Sequence, residues 1–203
     1  AVGGRYLQYG YEMIFRHLMR RIAVTTVALG VLGTGSPAQA IGSAPQNTPG
    51  FNGTVWATAY AGDTIYVGGD FTAAVVGGVQ VKRSRLAAIN ARTGKLLDWA
   101  PAADGTVRAI ATGGGAVYVG GTFGKIGATK RDSLAKLDGT TGAVSAMLNH
   151  SMTGAPYALL IDGNRLYAGG NLTEVNGESR GRLAAFSLGS GKLDTAWRPT
   201  ADD

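Results

Sequence analysis

The chain has 203 residues with 33 glycines, six prolines, no cysteine and a formal net charge of +6. Glycine at this level without a G-X-Y period excludes collagen and argues against a mainly helical domain, and a hydrophobic content of 45% excludes intrinsic disorder. The lack of cysteine excludes a disulfide scaffold, a thiolate zinc site and a cysteine nucleophile, and leaves His17 and His150 as the two histidines for catalysis or metal binding.

The first forty residues have the pattern of a secretory signal peptide. An arginine cluster at 16–21 precedes an apolar run of eleven residues at 22–32, and the segment ends with the small residues Ala38 and Ala40. This pattern predicts cleavage after Ala40. A transmembrane anchor is the alternative, but a membrane-spanning helix needs roughly 20 apolar residues and the run is well short of that.

The charge of the predicted mature chain is lower than that of the whole sequence. Removal of residues 1–40 takes four arginines and one glutamate from 19 basic and 13 acidic residues, which leaves a net charge of +3. We therefore predict a secreted or cell-surface protein with no integral membrane span after cleavage, and nucleic acid is not favoured as a partner. Export by the Sec or the twin-arginine route and a start at Met13 or Met19 remain open.

The rest of the chain contains three copies of one unit. The segments 64–71, 116–123 and 165–172 share a Tyr-(Val/Ala)-Gly-Gly core, and their tyrosines are 52 and 49 residues apart. The predicted organisation is therefore an upstream segment with signal peptide at 1–40, a linker at 41–52 and three repeats within 53–203, namely repeat 1 (53–104), repeat 2 (105–153) and repeat 3 (154–203).

Each repeat has the pattern of four short antiparallel strands separated by glycine-containing turns. In repeat 1 the predicted strands are Thr54–Ala61, Thr64–Phe71, Ser84–Asn90 and Leu96–Trp99. Four strands per roughly fifty residues, without a helical segment, are typical of a β-propeller blade. We predict an all-β fold of three tandem blades that form an incomplete propeller, with a solenoid as the structural alternative. The longer segment Ala74–Val81 is predicted to be a projecting loop.

Several positions recur in all three repeats, and we interpret them as architecture. Glycine pairs end the second strand of each repeat, where the chain bends or another backbone approaches closely. These glycines are Gly68, Gly69, Gly120, Gly121, Gly169 and Gly170. The recurring Arg83, Arg131 and Arg180 are expected to cap carbonyl groups or to pair with acidic neighbours rather than to form an anion-binding ring.

Residues 53–199 resemble the delta-60 type of bacterial β-propeller repeat, which occurs in secreted and cell-surface proteins. The resemblance is carried by Ile65–Phe71, Arg83, Leu86–Ile89, Thr93-Gly94 and Trp99–Pro101. That family is defined by its repeat and not by a catalytic site, so the resemblance implies an architecture rather than an activity.

The segment Leu86–Trp99 is also similar to the tryptophan-docking repeat of quinoprotein dehydrogenases, in which the tryptophan packs between neighbouring blades. This resemblance implies a structural role for Trp99 and Trp197. Repeat 2 departs from the motif, because Met147–His150 stands where the tryptophan is expected.

Catalytic chemistry is not indicated by any motif in the sequence. The aspartates mostly flank turn glycines, and none belongs to a D-x-D-x-D-G loop, so a calcium site is unsupported. His150 is expected to lie solvated in a loop. We therefore predict a non-catalytic protein with no cofactor and no metal. The alternatives are a fragment of a quinoprotein-like dehydrogenase propeller and a purely structural surface-display repeat.

The best candidates for ligand binding are positions that differ between otherwise similar copies. Trp56, Arg108 and Tyr157 occupy one equivalent position near the start of the first strand of each repeat. Two aromatic rings and an arginine can stack on a sugar or hold a peptide. We predict that these residues bind an extracellular polysaccharide or protein, and the competing interpretation is an ordinary exposed surface.

The C-terminal segment of the sequence predicts that more repeats belong to the same protein. Residues 197–203 align with 99–105, the passage that leads into repeat 2. Closed propellers typically have four to eight blades, so further blades of a longer chain are expected after Asp203. Association of two chains into a six-bladed ring is the alternative.

Overall fold

The computed structural model describes residues 48–201. The predicted signal peptide, its cleavage point after Ala40, both candidate start residues and residues 41–47 of the predicted linker lie outside this range. The described residues form strands and turns, and none of them forms a helix that could cross a membrane. Every pairing between the described strands is antiparallel, which confirms the predicted all-β, antiparallel class.

The described residues contain seventeen strands. In chain order they are β1 (Gly50–Phe51), β2 (Val55–Ala61), β3 (Thr64–Gly69), β4 (Ala73–Val76), β5 (Val79–Lys82), β6 (Leu86–Asn90), β7 (Val107–Gly113), β8 (Ala116–Gly121), β9 (Lys125–Ile126), β10 (Thr129–Lys130), β11 (Leu134–Asp138), β12 (Met152–Thr153), β13 (Pro156–Asp162), β14 (Arg165–Gly170), β15 (Glu174–Val175), β16 (Glu178–Ser179) and β17 (Leu183–Ser187).

Each repeat has one principal sheet of three strands, with its second strand in the middle. The strand orders are β2-β3-β6 in repeat 1, β7-β8-β11 in repeat 2 and β13-β14-β17 in repeat 3. The first strands of the three sheets are neighbours in space, with β7 in contact with both β2 and β13. The three sheets therefore follow one another in sequence order.

The fourth strand predicted for each repeat is reduced to a single bridge, so each principal sheet has three strands and four-stranded sheets are not shown in the described residues. In repeat 1, Leu96 bridges Ile89, and the Leu97 N–H donates to the Ala88 carbonyl at 2.8 Å. The Leu97 carbonyl instead accepts a hydrogen bond of 2.7 Å from the buried Arg83 guanidinium. Arg131 takes the equivalent carbonyl of Ser145 in repeat 2. Repeats 2 and 3 also have one bridge each, Leu137–Val144 and Phe186–Leu193, but in repeat 3 the Arg180 Nη2 atom has no hydrogen-bond partner among the described residues.

The predicted projecting loop at 74–81 is wrong, because this segment is the β-hairpin of β4 and β5. Its turn is Gly77-Gly78, and both glycines have positive φ, at 56° and 84°. A glycine pair between apolar β-branched runs is a recognised hairpin signal. Repeats 2 and 3 have shorter hairpins, β9–β10 and β15–β16.

Each hairpin also pairs with the chain that precedes its own repeat. β1 pairs with β4, Ala103 bridges Ile126, and β12 pairs with β15. The end of one repeat is therefore hydrogen-bonded into the next, which ties neighbouring repeats together through their backbones.

Two hydrophobic clusters of the described residues lie between neighbouring principal sheets, and a third belongs to repeat 1 and the preceding β1. One cluster joins Tyr66, Leu86 and Trp99 of repeat 1 to Val107 and Ile110 of repeat 2. Successive side chains of a strand point to opposite faces of its sheet, so a sheet between two others is apolar on both faces. The strand β8 accordingly has every residue buried.

A second cluster of the same kind joins repeats 2 and 3. It includes Tyr118 and Leu134 on one side and Leu166, Leu172 and Phe186 on the other. Full burial of such side chains contributes roughly 1.5–3 kcal/mol each, so stacking of the repeats accounts for much of the stability of the fold.

Candidate functional site

The first strand of each principal sheet begins with a β-bulge. In repeat 1, Val55 pairs with Gly69 and Ala57 pairs with Gly68, which leaves Trp56 as an extra residue without a partner. The same shift leaves Arg108 in repeat 2 and Tyr157 in repeat 3. A bulge bends the strand and re-aims a side chain out of the regular alternation. The three predicted site residues are thus the three bulged residues.

The second glycine of each recurring pair makes the bulge possible. A Cβ atom on Gly69 would lie 2.0 Å from the Thr54 carbonyl oxygen. The corresponding distances are 2.1 Å from Gly121 to Thr106 and 2.2 Å from Gly170 to Ala155. No side chain fits at that separation from backbone, so each bulge requires glycine at this position.

The first glycine of the pair serves the contact between repeats. A Cβ on Gly68 would lie 2.6 Å from the Val107 side chain of repeat 2, and one on Gly120 would lie 2.8 Å from Pro156 of repeat 3. At Gly169 the nearest atom is 3.3 Å away, in Leu183 of the same repeat. Gly68 and Gly120 therefore serve stacking, while Gly69, Gly121 and Gly170 allow the bulges. Gly169 has neither contact.

The three bulged residues lie together in one cluster, which we call the bulge triad (Trp56, Arg108 and Tyr157). The Arg108 Cζ atom is 4.7 Å from the centroid of the Trp56 ring and 5.1 Å from that of the Tyr157 ring. Because β7 lies between β2 and β13, the arginine has an aromatic ring from each neighbouring repeat. Trp56 is 48% exposed and Tyr157 is 42% exposed, while Arg108 is partly buried.

The positive charge of the bulge triad is not balanced within residues 48–201. Arg108 forms no hydrogen bond and no ion pair with the described residues, and its buried Nε is unpaired. Asp70, which lies beside the bulge of repeat 1, already accepts a hydrogen bond of 2.6 Å from the Thr54 N–H. Each cation–π contact at a partly exposed site contributes about 0.5–1 kcal/mol. The cluster is therefore a preformed cation between two half-exposed rings.

The recurring buried arginines have a different role. Arg83 donates to the carbonyls of Lys82 and Leu97 at 2.8 and 2.7 Å, and Arg131 donates to Lys130 and Ser145, both at 2.6 Å. Arg180 donates to the Ser179 carbonyl at 2.7 Å. The expectation that these residues cap carbonyls is confirmed.

His150 is not the solvated loop residue expected from the sequence. Its ring packs on Phe186 of repeat 3 with centroids 4.8 Å apart, its Nε2 lies 2.8 Å from the Gly191 carbonyl, and its Nδ1 lies 2.8 Å from the Asn176 amide nitrogen. In the neutral ring that fits these partners, Nε2–H donates and Nδ1 accepts. Desolvation lowers the pKa of His150, against the opposing effect of the two hydrogen bonds.

Trp99 lies at the junction of repeats 1 and 2. Its Nε1–H donates to the Asp138 carbonyl at 3.0 Å, and its ring meets Tyr66 edge-on at 4.9 Å. The Tyr66 hydroxyl donates to the Gly139 carbonyl at 2.7 Å, and burial raises the pKa of that hydroxyl. Trp197 packs in the same way on Tyr167 of its own repeat, at 5.2 Å.

A cavity of about 410 Å³ lies at the same junction, lined by residues that include Tyr60, Tyr66, Thr112 and Gly139. Its lining offers hydroxyl and backbone groups. Within residues 48–201, no group of three or more histidine, aspartate or glutamate side chains is placed to hold a metal ion.

Comparisons with solved structures give likenesses that include two computationally designed proteins. No family model and no curated protein matches the chain. The crystal structure of the computationally designed Ika8 protein is 18% identical with a TM-score of 0.43, over 70% of this chain and 35% of the Ika8 chain. That of the designed Ika4 protein is 17% identical with a TM-score of 0.45, over 71% of this chain and 72% of the Ika4 chain. The chain thus spans about a third of the length of Ika8.

Proposed function

We propose that this protein is a secreted or cell-surface β-propeller repeat protein of the delta-60 type that acts as a non-catalytic binding module. The consecutive stacking of three similar sheets supports the blade interpretation, with the bridged segments at Leu96, Val144 and Leu193 as reduced fourth strands. In this interpretation the first strands, β2, β7 and β13, are the inner strands of successive blades.

The observation that carries the proposed function is the bulge triad. One backbone arrangement, fixed by glycine, presents a different side chain in each repeat, and the three side chains meet. A position needed only for stacking would favour the same small or apolar residue in every repeat, as Ala57 and Ala109 do. Half-exposed aromatic rings beside a fixed cation instead suit recognition of an external ligand.

The test is binding of the protein to isolated cell walls and to a panel of polysaccharides. Replacement of Trp56 and Tyr157 by alanine is expected to weaken binding by about tenfold or more, since each buried ring contributes more than 1 kcal/mol at a binding hot spot. Tyr60→Ala is the matched control, because Tyr60 is an aromatic residue of the same strand β2, is 63% exposed and lies outside the triad.

Unchanged circular dichroism would show that the double variant is folded. Equal binding by the double variant and the wild-type protein would contradict the proposal. Failure of the wild-type protein to bind any member of the panel saturably would favour a structural surface-display role instead.

A further inference from the structure

The bulge triad has a chemical preference that follows from the surroundings of Arg108. We propose that it binds a carboxylate of an acidic polysaccharide, with a uronic acid unit as the group recognised. This inference rests on the proposed binding function and adds the ligand class to it.

The free donors of the Arg108 guanidinium favour a carboxylate. Trp56 and Tyr157 come from the repeats on either side, and the Arg108 Cζ atom lies 4.7 and 5.1 Å from the centroids of their rings. Arg108 makes no hydrogen bond with the described residues. A guanidinium whose N–H groups have no partner within the protein can donate two of them in parallel to the two oxygens of a carboxylate.

The unbalanced charge of Arg108 favours an anionic ligand. Arg92, Arg165 and Arg198 each have a carboxylate partner, namely Asp63, Asp194 and Glu178. Arg108 has no such partner among the described residues, although it is less exposed than Arg92. A partly desolvated cation without a counter-ion favours an anionic ligand, because the ligand supplies the missing partner.

The two aromatic rings favour a saccharide over an acidic peptide. The half-exposed rings of Trp56 and Tyr157 flank the cation on both sides. A uronic acid unit carries its carboxylate on a pyranose ring, whose C–H groups pack on aromatic surface while its hydroxyls stay in water. A glutamate or aspartate side chain offers the carboxylate with only a flexible chain, so it leaves the aromatic surface largely unused.

The experiment compares a ligand with its own neutral form. The protein is titrated calorimetrically with oligogalacturonate and with its methyl ester, in which each carboxylate loses its negative charge and gains one methyl group. The acid form is expected to bind about 10- to 100-fold more tightly, the range of a hydrogen bond to a charged group. Arg108→Gln should remove this preference. Arg108→Lys keeps the charge but loses the pair of parallel N–H donors, so it should retain only part of the preference.

Arg92→Gln is the matched control for the loss of one positive charge. Arg92 follows β6 and lies at the end of the repeat 1 sheet that is opposite to the bulge, so its replacement should alter neither affinity. Equal affinity for the acid and the ester would overturn the carboxylate inference while leaving the binding function intact. Binding to oligoglutamate without binding to oligogalacturonate would overturn the saccharide class. Binding to neither the acid, the ester nor the polysaccharide panel would overturn the function as well.

Discussion

At the scale of single residues, the protonation of the His150 imidazole is coupled to the packing of repeat 2 on repeat 3. Its neutral ring fits both of its partners, because a proton on Nδ1 would face the amide N–H₂ group of Asn176. The Asn176 Oδ1 is already used by the Ser151 N–H at 3.0 Å, which opposes a flip of the amide. The folded state therefore disfavours the imidazolium form.

We predict that the stabilisation due to His150 is lost as the pH falls. Desolvation lowers the pKa of His150 in the folded state below the ordinary value of 6.5, so the unfolded state takes up the proton first. The contribution is fully present above pH 6.5 and decreases as the pH falls below that value towards the folded-state pKa.

The measurement is the free energy of unfolding in urea for the wild-type protein and His150→Gln at pH 7.5 and pH 5. The difference between the two proteins should be larger at pH 7.5, and subtraction removes the effect of groups that titrate in both, including His17. A difference that is the same at both pH values would contradict the prediction.

The three residues of the bulge triad could be predicted from the sequence as a candidate site, but the contact between their side chains could not. Trp56, Arg108 and Tyr157 stood out because they vary at one position of a repeat. Their contact depends on the bulge and on the adjacency of three first strands, and neither is local in the sequence. His150 was missed because its partners, Asn176 and Gly191, belong to the next repeat.

At the scale of elements, the glycine pair and the bulge act as one unit. Gly121 allows the Thr106 carbonyl to approach, and that approach places Arg108 outside the alternation of β7. The structural glycine and the candidate binding residue are therefore physically coupled. The sequence alone presented them as separate features.

We predict that Gly121→Ala both destabilises the protein and weakens ligand binding. The added Cβ would lie 2.1 Å from backbone oxygen, so the bulge must shift, at a cost of about 1–3 kcal/mol. Gly169→Ala is the matched control, because its nearest contact is a side-chain atom at 3.3 Å and its φ is not in the left-handed region. Thermal unfolding and polysaccharide binding of the two variants check this, and equal behaviour of both would contradict it.

Three of the four predicted strands of each repeat are present because their signals are local, namely alternating apolar residues and glycine turns. The fourth is a single bridge in all three described repeats, and a side-chain contact with its carbonyl is made in repeats 1 and 2 but not by Arg180 in repeat 3. Arg83 and Arg131 take the carbonyls of Leu97 and Ser145, which are 14 residues further along the chain in each case. The hairpin of β4 and β5 is predictable from Gly77-Gly78, a glycine pair between two β-branched runs.

At the scale of the whole molecule, the repeats are held together by contacts that recur with variations. At the junction of repeats 1 and 2, Trp99 donates a hydrogen bond to the Asp138 carbonyl. At the junction of repeats 2 and 3, the contact is made by His150, whose ring packs on Phe186. Because contacts of this kind join only neighbouring repeats, the stability of a repeat array is approximately the sum of the stabilities of its single repeats and of the interfaces between them. The division into three repeats was predictable because self-similarity survives such substitutions.

The central claim is that three successive repeats place one bulged residue each in a single binding site. Nuclear magnetic resonance of the side-chain N–H groups tests this most directly, since Trp56 Nε1–H and Arg108 Nε–H report from the site and Trp99 Nε1–H reports from the buried junction. On titration with oligogalacturonate, the Trp56 and Arg108 signals should shift together and saturate at one dissociation constant while the Trp99 signal stays in place. Bound ligand without movement of the Trp56 and Arg108 signals would contradict the claim.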